Sequence, residues 1–296
     1  MLSEITQRLS RVSQPKPAGW FSTIVLFGLP AAVFWCLFHV IGPGLRRLGF
    51  SWWFVFQVLL VLPLGALLLA TYFCVRREAT SAPWIGWARR LRLDRPAASA
   101  WIWAIALSGF MHGGDWEDAV ATVASCAALW SERTRRIWLY AAVLIAVQLK
   151  RHLYLVEPIL RSVTLFQPTG FHQEFFSHFG PTDFMGIQLI GAWWVFFFYA
   201  AWLVVFNLFG EELWWRGYVL PRQELAFGRG TWAIHGLCWS LFHLFIQPSL
   251  WDTARMAVTG MALAFVAQRT RNTWPGIIGH GVANTPLLIS IGSGLT

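Results

Sequence analysis

The residues able to do chemistry in this chain fall into three short groups near its C-terminal end. Two adjacent carboxylates, Glu211 and Glu212, follow a stretch from Phe184 to Gly210 that holds no charged residue, and Arg216 comes one helical turn after Glu212. His243 follows Trp239 at a spacing of four, and Asn284 follows His280 at the same spacing. On a helix that spacing puts both members of a pair on one face. A buried carboxylate without a partner is costly. Arg216 answers that need for Glu212, while Glu211, about 100° round the helix, must look to another helix or to water. A carboxylate and an imidazole from different helices hold and deprotonate a water. A second imidazole and a side-chain amide on one face supply donors for a developing oxyanion. Together these make a site for hydrolysing a carbonyl compound. No Ser or Cys beside a His suggests itself as a nucleophile. His39, His112 and His235 read as packing residues.

The elements that carry these groups belong in a bilayer. Of the 296 residues, 56% are hydrophobic and 12% charged, about half the charge of a soluble domain, and mean hydropathy is +0.52. The net charge of +9 raises the question of nucleic acid. However, the basic residues lie between apolar runs, as in Arg46-Arg47, Arg76-Arg77, Arg89-Arg90-Leu91-Arg92 and Lys150-Arg151. That is how spans are flanked, so anionic lipid is the expected partner and nucleic acid is not. Trp20, Trp52, Trp53, Trp101, Trp232 and Trp274 stand at run edges, where interfacial aromatics collect. Cys36, Cys74, Cys126 and Cys238 sit inside apolar runs without metal-ligand spacing.

The fold class this predicts is all-α: a polytopic transmembrane helix bundle of about seven to eight membrane helices. Residues 1–19 form a polar cytoplasmic lead-in. Residues 20–160 form the N-terminal transmembrane helices, with a basic loop at 76–96. Residues 184–292 form the C-terminal bundle. The positive-inside rule puts that loop and the N-terminus in the cytoplasm, in a multi-pass protein of the cytoplasmic membrane. Apolar stretches at about 99–111, 119–130 and 137–149 are short for spans and predict one or two irregular or interfacial helices. Gly113-Gly114-Asp115 predicts a capped turn, and Thr182-Asp183 a cap for a span running from Phe184 to Gly210. Ser249 with Asp252 predicts a capping box, and Pro275 a first-turn proline.

At its chemical residues the sequence resembles the CAAX protease and bacteriocin-processing family of intramembrane proteases, whose members include CAAX prenyl protease type 2-like enzymes. That family carries EExxxR, then FxxxH, then HxxxN or HxxxD on successive helices. Here they stand as Glu211-Glu212-x-x-x-Arg216, Trp239-x-x-x-His243 and His280-x-x-x-Asn284. Trp239 replaces the usual Phe and keeps an aromatic wall. The resemblance implies an endopeptidase acting on a membrane-anchored or prenylated substrate. In it, Glu211 and His243 activate water, His280 and Asn284 form the oxyanion site, and Glu212 and Arg216 support the geometry. It leaves the cofactor open between none and a zinc held by Glu211, His243 and His280; the chain has no HExxH helix. Two other classes compete: an ion- or proton-coupled transporter, and a non-catalytic immunity or scaffold protein.

Overall fold

The computed structural model describes residues 15–78, 84–112, 115–134, 137–162, 170–247 and 249–296. The early lead-in, the Gly113-Gly114 turn and part of the basic loop lie outside them.

Helix α1 runs Trp20–Arg47 and α2 runs Trp52–Glu78, both long and apolar enough to cross a membrane. Ser51 starts α2 by accepting from the Phe54 amide. A short α3, Trp84–Arg90, leads to α4, Ala98–His112, α5, Asp115–Ser131, and α6, Ile137–His152. These three correct the expectation of one or two irregular helices. Each is regular, with 15, 17 and 16 residues, about 22–26 Å of helix at 1.5 Å per residue. That is short of the ~30 Å hydrocarbon core, and they pack on one another and on the C-terminal helices. Short helices α7, Glu157–Ser162, and α8, Gly170–Ser177, follow.

The uncharged run after Phe184 is not helical throughout. Asp183–Phe184 pairs antiparallel with Ile187–Gln188, and Met185 and Gly186 both have positive φ at the turn (53° and 80°). The Asp183 carboxylate accepts from the Gly186 amide, so it closes the hairpin instead of capping a helix. Helix α9 then covers residues 193–227. At about 50 Å by helical rise it is longer than the ~30 Å hydrocarbon core. Gly228, with φ +66°, ends α9 and reverses the chain into α10, Thr231–Phe242. The last two helices are α11, Leu250–Thr270, and α12, Trp274–Ser293. The Ser249 side chain accepts from the Asp252 amide, and Pro275 occupies the first turn of α12, both as the sequence predicts.

Helices α10 and α11 cross at Gly236 and Gly260. A Cβ on Gly236 would lie 2.3 Å from the Met261 nitrogen, and one on Gly260 2.7 Å from the Trp239 ring. The second approach presses Trp239 into the site. One side of the bundle is tied by charge. Arg92 holds Glu224 with two bonds of 2.7 Å. Glu78 accepts from Arg90, Arg222 and the Tyr218 hydroxyl. Thr273 bonds the carbonyls of Leu91 and Arg92, and Trp274 that of Leu93. The basic loop therefore grips the ends of α2 and α9 and the start of α12. The opposite side carries the hairpin, whose Phe184 packs on Phe56 of α2.

Among the expected interfacial residues, Trp20 and Trp101 are exposed, whereas Trp52 is buried beneath the guanidinium of Arg46. The three long spans and shorter apolar helices make this an integral, multi-pass helical membrane protein.

Candidate functional site

The two carboxylates lie on α9 between stretches of wider, i→i+5 helical bonding, Leu203–Phe209 before them and Leu213–Val219 after them. Such segments concentrate at functional sites. Here they alter the turn on both sides of the acidic pair.

Glu212 is fully buried and points at α12. Its Oε1 accepts from Arg216 Nη1 at 3.0 Å and from His280 Nδ1 at 2.9 Å. Arg216, equally buried, lays its guanidinium 4.6 Å from the centroid of the Trp239 ring. Its Nε and Nη2 have no hydrogen-bond partner among the described residues, so the ring face supplies much of what faces them. Gly276 is the floor of this half: a Cβ there would sit 2.7 Å from Glu212 Oε2.

Glu211 points the other way, toward α10. Its Oε2 accepts from Trp239 Nε1 at 3.2 Å and lies 3.8 Å from His243 Nε2. The His243 Nδ1 is 2.7 Å from the Trp239 carbonyl. A carbonyl only accepts, so Nδ1 carries a proton, and in the neutral ring Nε2 turns its lone pair toward Glu211.

Two partners were not anticipated. Glu211 does have a neighbour on its own helix: Asn207, one turn earlier, donates from Nδ2 to Oε1 at 3.0 Å. Asn207 Oδ1 in turn accepts from Asn284 Nδ2 at 2.9 Å. The spacing rule that pairs Glu212 with Arg216 finds Asn207 too when run backwards from Glu211. The indole of Trp239, expected as a wall, is also a donor. His280 and Asn284 share a face of α12 as predicted, but in this state each is engaged with an α9 side chain.

His235 is a packing residue with a polar job. Its Nδ1 bonds Gln223 Oε1 at 2.6 Å, and Gln223 bonds Thr23 of α1 at 3.0 Å. His39 bonds the Trp35 carbonyl one turn back, and the side chain of His112 lies outside the described residues.

For a metal, the donor set fits poorly. The described residues contain no group of three His, Cys, Asp or Glu arranged to hold an ion.

The fold and the site thus define a helical membrane protein with a buried Glu/His centre built from α9, α10 and α12. Residues 192–286, from the residue before α9 into α12, match the family model of the Rce1-like type II CAAX prenyl endopeptidases. That match indicates a protease, and the family implies a peptide or protein substrate. No curated protein and no solved structure matches the chain.

Proposed function

We propose that the protein is an intramembrane endopeptidase that hydrolyses a peptide bond in a membrane-anchored substrate of the prenylated, CAAX type. The observation that carries this is the 3.8 Å separation of Glu211 Oε2 and His243 Nε2, with acceptor atoms of both groups facing one space. Two acceptors at that distance suit a water bridging them. The water oxygen attacks the scissile carbonyl carbon as its proton passes to Glu211. The carbonyl oxygen becomes an oxyanion. Asn284 offers it an amide N–H, and the imidazole of His280 is the second polar group on that face. Glu211 then delivers the proton to the leaving nitrogen as the C–N bond breaks, giving a carboxylic acid, which keeps water's other proton, and an amine. Glu212, paired with Arg216 through Oε1, fixes the ring of His280. No step passes through a metal.

Depth supports the substrate class. Gly276, His280 and Asn284 lie two, six and ten residues after Trp274, or about 3, 9 and 15 Å along α12 by helical rise. The site therefore opens within the leaflet on the basic-loop side, the cytoplasmic side in our reading by the positive-inside rule. A peptide anchored in that leaflet by its own lipid reaches it without crossing the membrane.

The test is cleavage of an internally quenched farnesylated CAAX-type peptide by detergent-purified protein. Wild type should cleave it, before and after exhaustive chelation, and Glu211→Gln should not. Full activity in Glu211→Gln would sink the mechanism, and loss on chelation with recovery on zinc would move it to a metalloenzyme.

A further inference from the structure

Between the carboxylate at one edge of the site and the amide at the other stands Asn207, which the scheme above does not use. It sits near the end of the Leu203–Phe209 segment, one turn before Glu211. Its two side-chain bonds join Glu211 Oε1, 3.0 Å away, to Asn284 Nδ2, 2.9 Å away on α12.

Chemistry gives this chain a direction. An ionised carboxylate can only accept, so the end of Asn207 facing Glu211 must be its NH₂. That turns the Asn207 carbonyl toward α12. A carbonyl also only accepts, so Asn284 must present its own NH₂. An isolated asparagine amide is free to flip, and its orientation follows from its network. Here each flip is set by a partner with one role, and the series ends on a charge. Asn284 spends one amide proton on Asn207 and keeps the other. Reversed, it would turn a carbonyl oxygen toward the forming oxyanion and repel it.

We propose that Asn207 is a positioning residue. It passes the acceptor character of ionised Glu211 to the Asn284 amide and holds that amide donor-first toward the scissile carbonyl oxygen. The inference rests on the hydrolase reading above and adds a physical link between the water-activating half and the oxyanion half. Asn207 touches neither the water nor the substrate in this scheme, so its loss acts on turnover and not on affinity. If it were only a bond between α9 and α12, its loss would lower the melting temperature and leave kcat of the folded protein unchanged.

The experiment measures kcat, KM and melting temperature with the farnesylated peptide for Asn207→Leu, Asn207→Ala, Asn284→Ala, the Asn207→Leu/Asn284→Ala double variant and Glu211→Gln. Leu keeps the shape of Asn without its hydrogen bonds, and Ala leaves room for water should Leu fail to fold. The expected result is a kcat loss of about 10²-fold in the Asn207 variants, the scale of a misaligned catalytic group, with KM changed less than about twofold. The double variant should be much less impaired than the product of the single losses, because residues acting as a unit are non-additive. Wild-type kcat in both Asn207 variants, multiplicative losses, or a KM effect alone, with Glu211→Gln inactive, overturns the positioning role and leaves the hydrolase reading standing. Wild-type kcat in Glu211→Gln overturns both.

Discussion

The α10 side and the α12 side of the site each receive one of two adjacent carboxylates, and they treat the same functional group differently. On the α12 side, Glu212 meets a guanidinium and an imidazole within 3.0 Å and is wholly buried. On the α10 side, Glu211 meets two neutral donors, the Asn207 amide and the Trp239 indole, and stands 3.8 Å from an imidazole lone pair. A carboxylate neutralised by a fixed cation is held in one state. One steadied by neutral donors has no such fixed counter-charge. Adjacent positions on a helix point about 100° apart, which is enough to give two neighbouring acids different surroundings and, in the proposed mechanism, different tasks.

The largest expected effect tests the chemical half. Glu211→Gln and His243→Ala should each lower kcat by about 10²–10⁴, the range of general acid–base catalysis, with substrate still bound. Because both groups act on one water in the proposed mechanism, the double variant should be little slower than the worse single. Losses that multiply would mean that the two side chains serve separate steps.

The structural half should fail as a fold. Arg216→Ala leaves Glu212 buried without its cation, a change that costs about 3–5 kcal/mol for a buried pair. Melting temperature and yield should drop sharply, while Glu211→Gln melts near wild type. If Arg216→Ala melts normally and only slows turnover, the division between the two halves is wrong. A milder version is Gly276→Ala, whose Cβ would press on Glu212 Oε2 at 2.7 Å. Overpacking of this kind costs about 1–3 kcal/mol and should appear in thermal melts before it appears in KM.

The two halves were not equally legible in the sequence. Glu212 with Arg216, and His280 with Asn284, follow from helical spacing alone, since partners one turn apart share a face whatever the fold. The Ser249 cap and first-turn Pro275 were readable for the same local reason. The contact between Glu211 and Trp239 was not, because it depends on how closely α10 approaches α9. Glycines at 236 and 260 set the neighbouring α10–α11 crossing, and a glycine shows what space it leaves only once its neighbour is known. The hairpin at Asp183–Gln188 was misread because an apolar run without charge fits a span. The signals against it were local: Gly186 and Gly191 take positive φ, and Asp183 closes a turn as readily as it caps a helix. Helices α4 to α6 were underestimated because length for crossing a membrane is the wrong criterion for helices that lean on neighbours.

The smallest expected effect is at Trp239, where the family pattern has Phe. Trp239→Phe keeps an aromatic ring against His243, whose ring centroid is 4.3 Å away, and beside Arg216. It removes the Nε1–H that reaches Glu211 Oε2. A hydrogen bond to a charged group contributes about 1.5–3 kcal/mol, but Glu211 keeps Asn207 on its other oxygen, and the smaller ring leaves space for water to replace the lost donor. The kcat loss should therefore stay at or below about tenfold. Stability should fall by roughly 1 kcal/mol, since Phe is also the weaker partner for the Arg216 cation. If Trp239→Phe slows turnover as much as Glu211→Gln, then the indole N–H has no substitute, and Glu211 depends on α10 for its position and not only for its imidazole. If instead kcat is unchanged and only the melting temperature falls, Asn207 alone suffices to hold the base, and the indole matters mainly to the α12 half, through Arg216.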